Sequence, residues 1–388
     1  MFFTTGSKEK INEQLKNDIK YVLIDNRNDE KSENKKIKIT ARGDLEQFFP
    51  CPRKWLFKSV LKLHEDTLDT NLMQNYDMGN LNHKIMESFM NIFRNKILPF
   101  YDENECVFKI KNFTDKDIEV KAENYNDEII NILYGEKNIV TDAIKAPSDF
   151  RDSPLVIETL LSQKEKIADN IMSFLKKLLL PYGYFDSGKK PRKINGIGNC
   201  IVLGIEEKLD ASMPDYDYFG IIDCYVLSPE NEIIIIDYKN SSSAIPDAKN
   251  IRIDENNILR DFQMPLYYQL IGNNRQEEIG AGYFYAIKDG KDRVVTDKIL
   301  NEYNMEKDNI SWDPDLYSTI ITLNEYSDLF IKKISGNNFT PTQSNSKKDK
   351  MNVKSYEACS KCPFKSICRT TYTIAGKLIS SKKGVENE

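Results

Sequence analysis

Two apolar runs face each other across a short turn. Gly220-Ile221-Ile222-Asp223-Cys224-Tyr225-Val226-Leu227 and Glu232-Ile233-Ile234-Ile235-Ile236-Asp237-Tyr238-Lys239 are separated only by Ser228-Pro229-Glu230-Asn231. β-Branched and aromatic residues dominate both runs, and Ser, Pro and Asn are turn formers, so the segment predicts an antiparallel hairpin. A turn centred on Glu230 sets Asp223 directly across from Asp237, each the same distance from the centre. Side chains alternate along a strand, so Asp237 and Lys239 share a face. The hairpin therefore presents two carboxylates and an ammonium close together.

The rest of the chain supplies flanking elements. Ile201–Glu206 reads as a strand just before the hairpin, and Ala281–Ile287 as one after it. A helix lies within Leu259–Ile271, and another runs from Leu316 to Ile334 after Asp313-Pro314. Upstream, a helical pattern from Ile39 carries Leu45, Phe48 and Phe49 into Cys51-Pro52, then Trp55 and Phe57. Met78–Phe93 shows Leu81, Ile85, Phe89 and Ile92 at helical spacing. The order of helix, strands, helix, strand and helix predicts an α/β fold, a mixed β-sheet core flanked by helices. Residues 100–195 are mostly polar and helical in pattern, with Ile157–Leu180 clearly amphipathic, and read as a helical insertion. Residues 1–38 are rich in Lys and Asn, with a weak helical stretch at Glu9–Ile24, and read as an extension. The core domain is expected over 39–375, its cysteine-bearing end over 355–370, with a tail at 376–388.

Composition limits the classes of function. The 388 residues suit one large domain or two ordinary ones, and 40 % apolar with 30 % charged residues is a soluble balance. No apolar run approaches the ~20 residues of a membrane helix, and the first residues lack a secretory layout; the expectation is a cytoplasmic protein with no membrane partner. A net charge of −5 provides no global basic field, which counts against a DNA-coating protein. It leaves room for an enzyme with a local basic groove. Lys189, Lys190, Arg192 and Lys193 form one basic cluster and Lys347, Lys348, Lys350 and Lys354 another, though either also reads as a solvated loop.

Two unscreened carboxylates at cross-strand distance repel, and a sheet gains nothing from that. A divalent cation removes the problem, and hard oxygen ligands suit Mg²⁺ or Mn²⁺. Such a metal stabilises charge on a phosphate in flight. Lys239 beside it can position an attacking water, and Glu206 offers a third carboxylate. Taken alone, Asp237-Tyr238-Lys239 also reads as a strand end carrying solvated residues.

His83 is one of two histidines and flanks the apolar stripe of its helix; by itself it reads as a packed or half-exposed histidine. His64 has no assigned role. Gln263 and Tyr267 lie four apart on one helix face, with Asp261 as a cap and Pro265 in the first turn. Of seven cysteines, Cys106, Cys200 and Cys224 are scattered and read as small buried hydrophobes. Cys359, Cys362 and Cys368 cluster, and Cys359-Ser360-Lys361-Cys362 has the local spacing that wraps a metal. With Cys51 they make a possible set of four ligands, for which Zn²⁺ and an iron–sulfur cluster are both suited and a disulfide is the weaker option.

These motifs, in this order, resemble the RecB-like exonucleases of the PD-(D/E)XK superfamily, especially the AddB-type and CRISPR-adaptation nucleases that carry iron–sulfur clusters. Gly79-Asn80-Leu81-Asn82-His83 matches the G-x-x-x-H helix of that group. Gly220-Ile221-Ile222-Asp223 matches G-x-(I/V)-D, and Ile235-Ile236-Asp237-Tyr238-Lys239 matches (I/V)-x-D-Y-K. Gln263-Met264-Pro265-Leu266-Tyr267 matches Q-x-x-x-Y, and Cys51 with Cys359, Cys362 and Cys368 matches the cysteine pattern. The resemblance spans residues 39–370. It implies a restriction-endonuclease-like core and a metal-dependent nuclease, with His83, Asp223 and Asp237 as metal ligands. Glu206 would assist, Lys239 would be catalytic, and Gln263 and Tyr267 would touch the DNA strand. It favours a 4Fe–4S cluster over Zn²⁺ on the four cysteines, joining the N- and C-terminal parts. Ala41, Arg42 and Gly43 depart from it, standing where members of the group usually carry serines.

The expected activity is Mg²⁺-dependent hydrolysis of DNA, at single strands or duplex ends, with little sequence preference because phosphate contacts carry no sequence information. Recombinational repair and CRISPR adaptation are the settings the resemblance suggests. No G-x-x-x-x-G-K-(S/T) phosphate loop occurs, so unwinding would need a helicase subunit. The rival readings are a non-catalytic DNA-end clamp working with such a helicase and a zinc-stapled interaction scaffold.

Overall fold

The computed structural model describes residues 36–63, 75–94, 101–102, 107–108, 125–135, 138–146, 154–186, 191–246, 259–297, 316–336, 338–339, 359 and 362–368. The expected helix at Glu9–Ile24, Cys106, the lysines of 347–354, and Lys189 and Lys190 of the first basic cluster lie outside these residues.

Strand β1 is Ile37–Ile39, followed by a π-helical turn at Ala41–Leu45 and short helical turns through Val60. Helix α1 is Asn75–Phe93, and a small ribbon pairs β2 (Tyr101–Asp102) with β3 (Val107–Phe108). Helices α2 (Asn126–Tyr134), α3 (Ile139–Lys145), α4 (Pro154–Ser162) and α5 (Lys164–Leu178) follow. The single amphipathic stretch expected over Ile157–Leu180 is thus two helices, divided at Gln163. A second ribbon pairs β4 (Tyr182–Asp186) with β5 (Pro191–Asn195). Then come β6 (Ile201–Ser212), β7 (Tyr216–Leu227), β8 (Ile233–Lys239), helix α6 (Gln263–Asn274), β9 (Ile279–Ala286), β10 (Lys291–Asp297) and helix α7 (Leu316–Ser335).

Among the described residues the main sheet has six strands, in the order β1-β7-β8-β9-β10 with β6 also on β7. Strand β8 is buried along its whole length, as its isoleucine run requires of a central strand. Alternation divides its side chains between two cores. Ile234, Ile236 and Tyr238 pack with α1 to α5, whereas Ile233 and Ile235 pack with α6, α7 and the turns after β1. The result is a mixed sheet between two helical layers.

The hairpin turn holds the register inferred from sequence. Leu227 pairs with Ile233 and Cys224 with Ile236, and the Ser228 N–H donates to the Glu232 carbonyl at 2.8 Å. Asn231 takes the left-handed conformation, φ 63°, that closes a three-residue loop.

Strand β7 is where the sheet divides. Antiparallel β6 covers one edge along nearly all of β7. The other edge is shared: β1 pairs in parallel with Tyr216–Tyr218, and β8 pairs antiparallel with Cys224–Leu227. The carboxyl ends of β1 and β8 therefore run toward each other, leaving a fork beside Phe219–Asp223. Ligand sites in open α/β sheets form at such splits, outside the carboxyl ends of strands.

Candidate active site

The ladder between β7 and β8 ends at Cys224 and Ile236. One step further, Asp223 and Asp237 face each other at the fork. On the other side of β7, Ile205 pairs with Cys224 and Glu207 with Ile222, which brings Glu206 opposite Asp223. Three carboxylates thus form a row across three adjacent strands. Glu206 has φ 46°, a left-handed conformation that costs a non-glycine residue on the order of 1 kcal/mol. A register shift near Leu203 accompanies it.

Helix α1 brings His83 to this row. Asn82 ties the helix to the end of β8 by donating to the Asn240 side chain at 2.8 Å, and Arg94 donates to the Leu203 carbonyl at 2.9 Å. Tyr238, between Asp237 and Lys239, turns to the opposite face and packs edge-on against His83 and Phe174. His83 Nδ1 then lies 3.2 Å from Glu206 Oε1 and 3.6 Å from Asp223 Oδ2. Among the described residues, His83, Glu206 and Asp223 offer ligand atoms all within 4.8 Å of one another. One imidazole and two carboxylates form a donor set suited to a divalent cation.

The electrostatics reflect how closely the row is crowded. Burial, then the neighbouring charge of Asp237, raises the Asp223 carboxyl to about 7. Burial alone would lower His83, but Asp223, the hydrogen bond to Glu206 and the charge of Asp237 outweigh it and hold the imidazole at about 9. Crowded carboxylates thus retain a proton where a cation would relieve them.

Asp237 is engaged differently. Its carboxylate accepts from Lys239 Nζ and, at 2.5 Å, from Gln263 Nε2. Lys239 also donates to Gln263 Oε1 at 2.9 Å and lies 5.0 Å from the centre of the Phe284 ring. Gln263 Nε2 reaches the Tyr267 hydroxyl at 2.7 Å, and that hydroxyl donates to the Ile221 carbonyl inside the fork at 2.8 Å. The Tyr238 N–H donates to Asp223 Oδ2 at 2.6 Å. Side chains thereby satisfy backbone groups that the divided ladder leaves without strand partners.

The sequence expectation sets Gln263 and Tyr267 against a DNA strand. Both are buried behind the carboxylates, where Gln263 bridges Asp237 to Lys239. The Asp261 carboxylate accepts from the Met264 N–H at 3.4 Å, in keeping with its expected capping role. Gly220 explains how α6 comes so close: an added Cβ would lie 2.7 Å from Leu270 Cδ1 and 3.2 Å from Leu266 Cδ2. Glu46, and Arg42, which the sequence marks only as a departure from the resemblance, also lie near this region. Burial and the charge of Asp261 raise Glu46 to about 7.

At the other end, Cys51 Sγ accepts from the Lys54 N–H at 3.4 Å and begins a helical turn with Pro52 in first position. Burial pushes the Cys51 thiol up, the Lys54 N–H pulls it down, and Cys359 and Cys362 push it up again. Arg53 reaches Cys368, donating to its carbonyl at 3.3 Å and its Sγ at 3.6 Å. Phe57 meets Phe364 edge-on at 5.6 Å. The segment around Cys51 thus meets the segment that carries Cys359, Cys362 and Cys368, and all four cysteines are free thiols. Cys200 and Cys224 are buried small side chains, as expected.

The profile of the PD-(D/E)XK nuclease superfamily matches residues 42–125 and 199–369, well over half of the chain. The chain belongs to this superfamily. PD-(D/E)XK nucleases hydrolyse phosphodiester bonds with divalent metals, and the row of Glu206, Asp223 and Asp237 with Lys239 lies inside the second matched stretch. The stretch between the two matches carries α2 to α5 and the β4–β5 ribbon. No curated protein matches the chain. No helix among the described residues is long and apolar enough to cross a membrane.

Proposed function

We propose that this PD-(D/E)XK nuclease is a Mg²⁺- or Mn²⁺-dependent DNA exonuclease, with a 4Fe–4S cluster joining its N- and C-terminal parts. The observation that carries the reading is the row of Glu206, Asp223 and Asp237, closed by His83 on one side and Lys239 on the other. The order of the five motifs supports the RecB-like branch, and with it an exonuclease acting on single strands or duplex ends.

His83, Glu206 and Asp223 would hold the cation, with Asp237 at its border. When bound, the cation supplies Lewis-acid stabilisation of charge on the phosphate oxygens. Lys239 carries three donors, and Asp237 and Gln263 take two of them. The third can hold the attacking water or a phosphate oxygen in line. Gln263 fixes the direction of the ammonium and Tyr267 fixes Gln263, so both act as positioning residues rather than strand contacts.

Cys51, Cys359, Cys362 and Cys368 would carry the cluster. The Lys54 N–H and the Arg53 guanidinium both point at sulfur, and donors of that kind stabilise thiolate ligands. Closing a loop from position 51 to position 359 gives the cluster a structural role that needs no redox chemistry.

The test is degradation of end-labelled single- and double-stranded DNA by anaerobically purified protein, with and without Mg²⁺, beside its Asp237→Ala variant. Cleavage that requires the cation and disappears in the variant is the expected result, and the product ladder gives its polarity. Equal cleavage by both proteins would refute the site. DNA binding without cleavage would favour the end clamp, with a helicase partner to be sought. Broad visible absorbance with about four iron atoms per chain is expected of the cluster; one zinc ion in its place would replace that part of the reading.

A further inference from the structure

Arg42 stands at the mouth of the fork, and we propose that it is a phosphate-binding residue gripping the nucleic-acid backbone beside the carboxylate row. The inference rests on the nuclease reading of that row and adds a residue to it.

Topology brings Arg42 there. Strand β1 runs parallel to β7 with Ile39 level with Tyr218, so the chain leaving β1 advances along β7 toward Asp223. Three residues beyond Ile39, Arg42 has come to the level of the fork. The π-helical turn that carries it is fixed from within. Buried Asp44 accepts from the Thr40 N–H at 2.8 Å, the Thr40 hydroxyl at 2.7 Å and the Trp55 indole N–H at 3.1 Å. Gln47 donates to the Arg42 carbonyl at 3.0 Å. Phe49 stacks on Phe262, the residue before α6, with ring centres 5.8 Å apart, which ties the segment to the end of the helix that carries Gln263.

The side chain itself is exposed, whereas Asp223, Asp237, Lys239, Gln263 and Tyr267 are all buried. Partial burial of the guanidinium would by itself lower its pKa, but the charges of Asp237, Glu46, Tyr267 and Asp223 outweigh it and raise the group above its ordinary value. Among the described residues, no hydrogen bond or ion pair uses its guanidinium. A planar group with five donors, held on a rigid turn beside an acidic metal site and open to solvent, matches a phosphate bidentately. Nucleic-acid backbone is the ligand chemistry that both Arg42 and the carboxylate row serve. The competing role is a screening charge that eases repulsion among Asp223, Asp237 and Glu46 without touching substrate.

The two roles separate by measurement. Mg²⁺-dependent cleavage of short labelled oligonucleotides is followed for the full-length wild type, Arg42→Gln and Arg42→Lys over a range of salt concentrations. Fluorescence anisotropy of the same oligonucleotides and a Mg²⁺ titration accompany it. A backbone grip predicts that Arg42→Gln raises KM about tenfold with a smaller change in kcat, and lowers the salt slope of binding by about one. Arg42→Lys should restore the slope but only part of the affinity, because an ammonium cannot pair bidentately. Unchanged KM and slope in Arg42→Gln, with a shifted Mg²⁺ requirement or melting temperature, would overturn the proposal in favour of screening. Wild-type protein that binds but does not cleave would refute the nuclease reading, while the anisotropy slopes would still decide for or against the grip. Wild-type protein that binds no DNA would overturn both.

Discussion

Replacing Gln263 with Ala tests whether Lys239 and Asp237 are held in place or merely adjacent. The buried amide accepts from Lys239 at 2.9 Å, donates to Asp237 at 2.5 Å and meets the Tyr267 hydroxyl at 2.7 Å. Hydrogen bonds to charged groups contribute about 1.5–3 kcal/mol each, and a neutral one about 1 kcal/mol. The ceiling is therefore about 7 kcal/mol, but Lys239 and Asp237 keep each other as partners and water can enter the vacated space. A loss of about 3 kcal/mol follows, to be read by urea denaturation with the melting of the variant as a check. For catalysis, releasing the ammonium from a fixed direction should lower kcat about 100-fold, the scale of an ångström-sized misplacement. Gln263→Glu sharpens the test: the new carboxylate still accepts from Lys239 but repels Asp237, so it should regain little activity. A Gln263→Ala enzyme within about 0.5 kcal/mol and about twofold of wild type would refute the positioning argument.

Two further outcomes follow from the same geometry. His83 at about 9, against an ordinary 6.5, and Asp223 at about 7, against 3.8, both hold protons more tightly in the fold. Their stabilising contributions are full below the unfolded values and are lost as pH rises through the folded ones, whereas a cation binds the deprotonated forms. Thermal stabilisation by Mn²⁺ should therefore grow from pH 6 to pH 9, and a shift independent of pH would exclude His83 and Asp223 as ligands. Gly220→Ala should cost about 1–3 kcal/mol and lower activity, because its Cβ would meet Leu270 and Leu266 and push α6 away from Asp237; a neutral effect in denaturation and cleavage would show that the helix has room to spare.

What the sequence made legible was what local periodicity encodes. The hairpin was readable because its turn and both strands are contiguous, so counting outward from Glu230 gave the register that aligns Asp223 with Asp237. Gln263 and Tyr267 could be put on one helix face, but not behind the carboxylates, because that depends on how closely Gly220 lets α6 approach. Strand β1 went unread: Ile37-Lys38-Ile39 is too short to show a period, and its pairing partner lies far along the chain. Arg42 stood out in the sequence only as a departure from the resemblance, since its place at the fork depends on that parallel pairing. Strand β10 begins Lys291-Asp292-Arg293, the polar surface expected of a sheet edge rather than the apolar run of a strand interior. Glu206 was identified as a carboxylate at the end of a strand, yet β6 continues through it to Ser212, and its left-handed backbone has no signature in residue types.

That backbone conformation and the divided ladder are two expressions of one arrangement. A continuous sheet would leave no opening at Asp223, because each edge of β7 would be filled by backbone partners. Here β1 stops at Ile39 and β8 stops pairing with β7 at Ile236, and the space between them is bounded by charged side chains. The unpaired backbone does not go unsatisfied: Tyr267 takes the Ile221 carbonyl and Asp223 takes the Tyr238 N–H. The residues that satisfy the opening also orient the groups facing into it, so packing and site geometry cannot be varied independently. A substitution at Tyr267 or Gly220 is therefore a change to the site as well as to the core, although neither residue need touch a substrate.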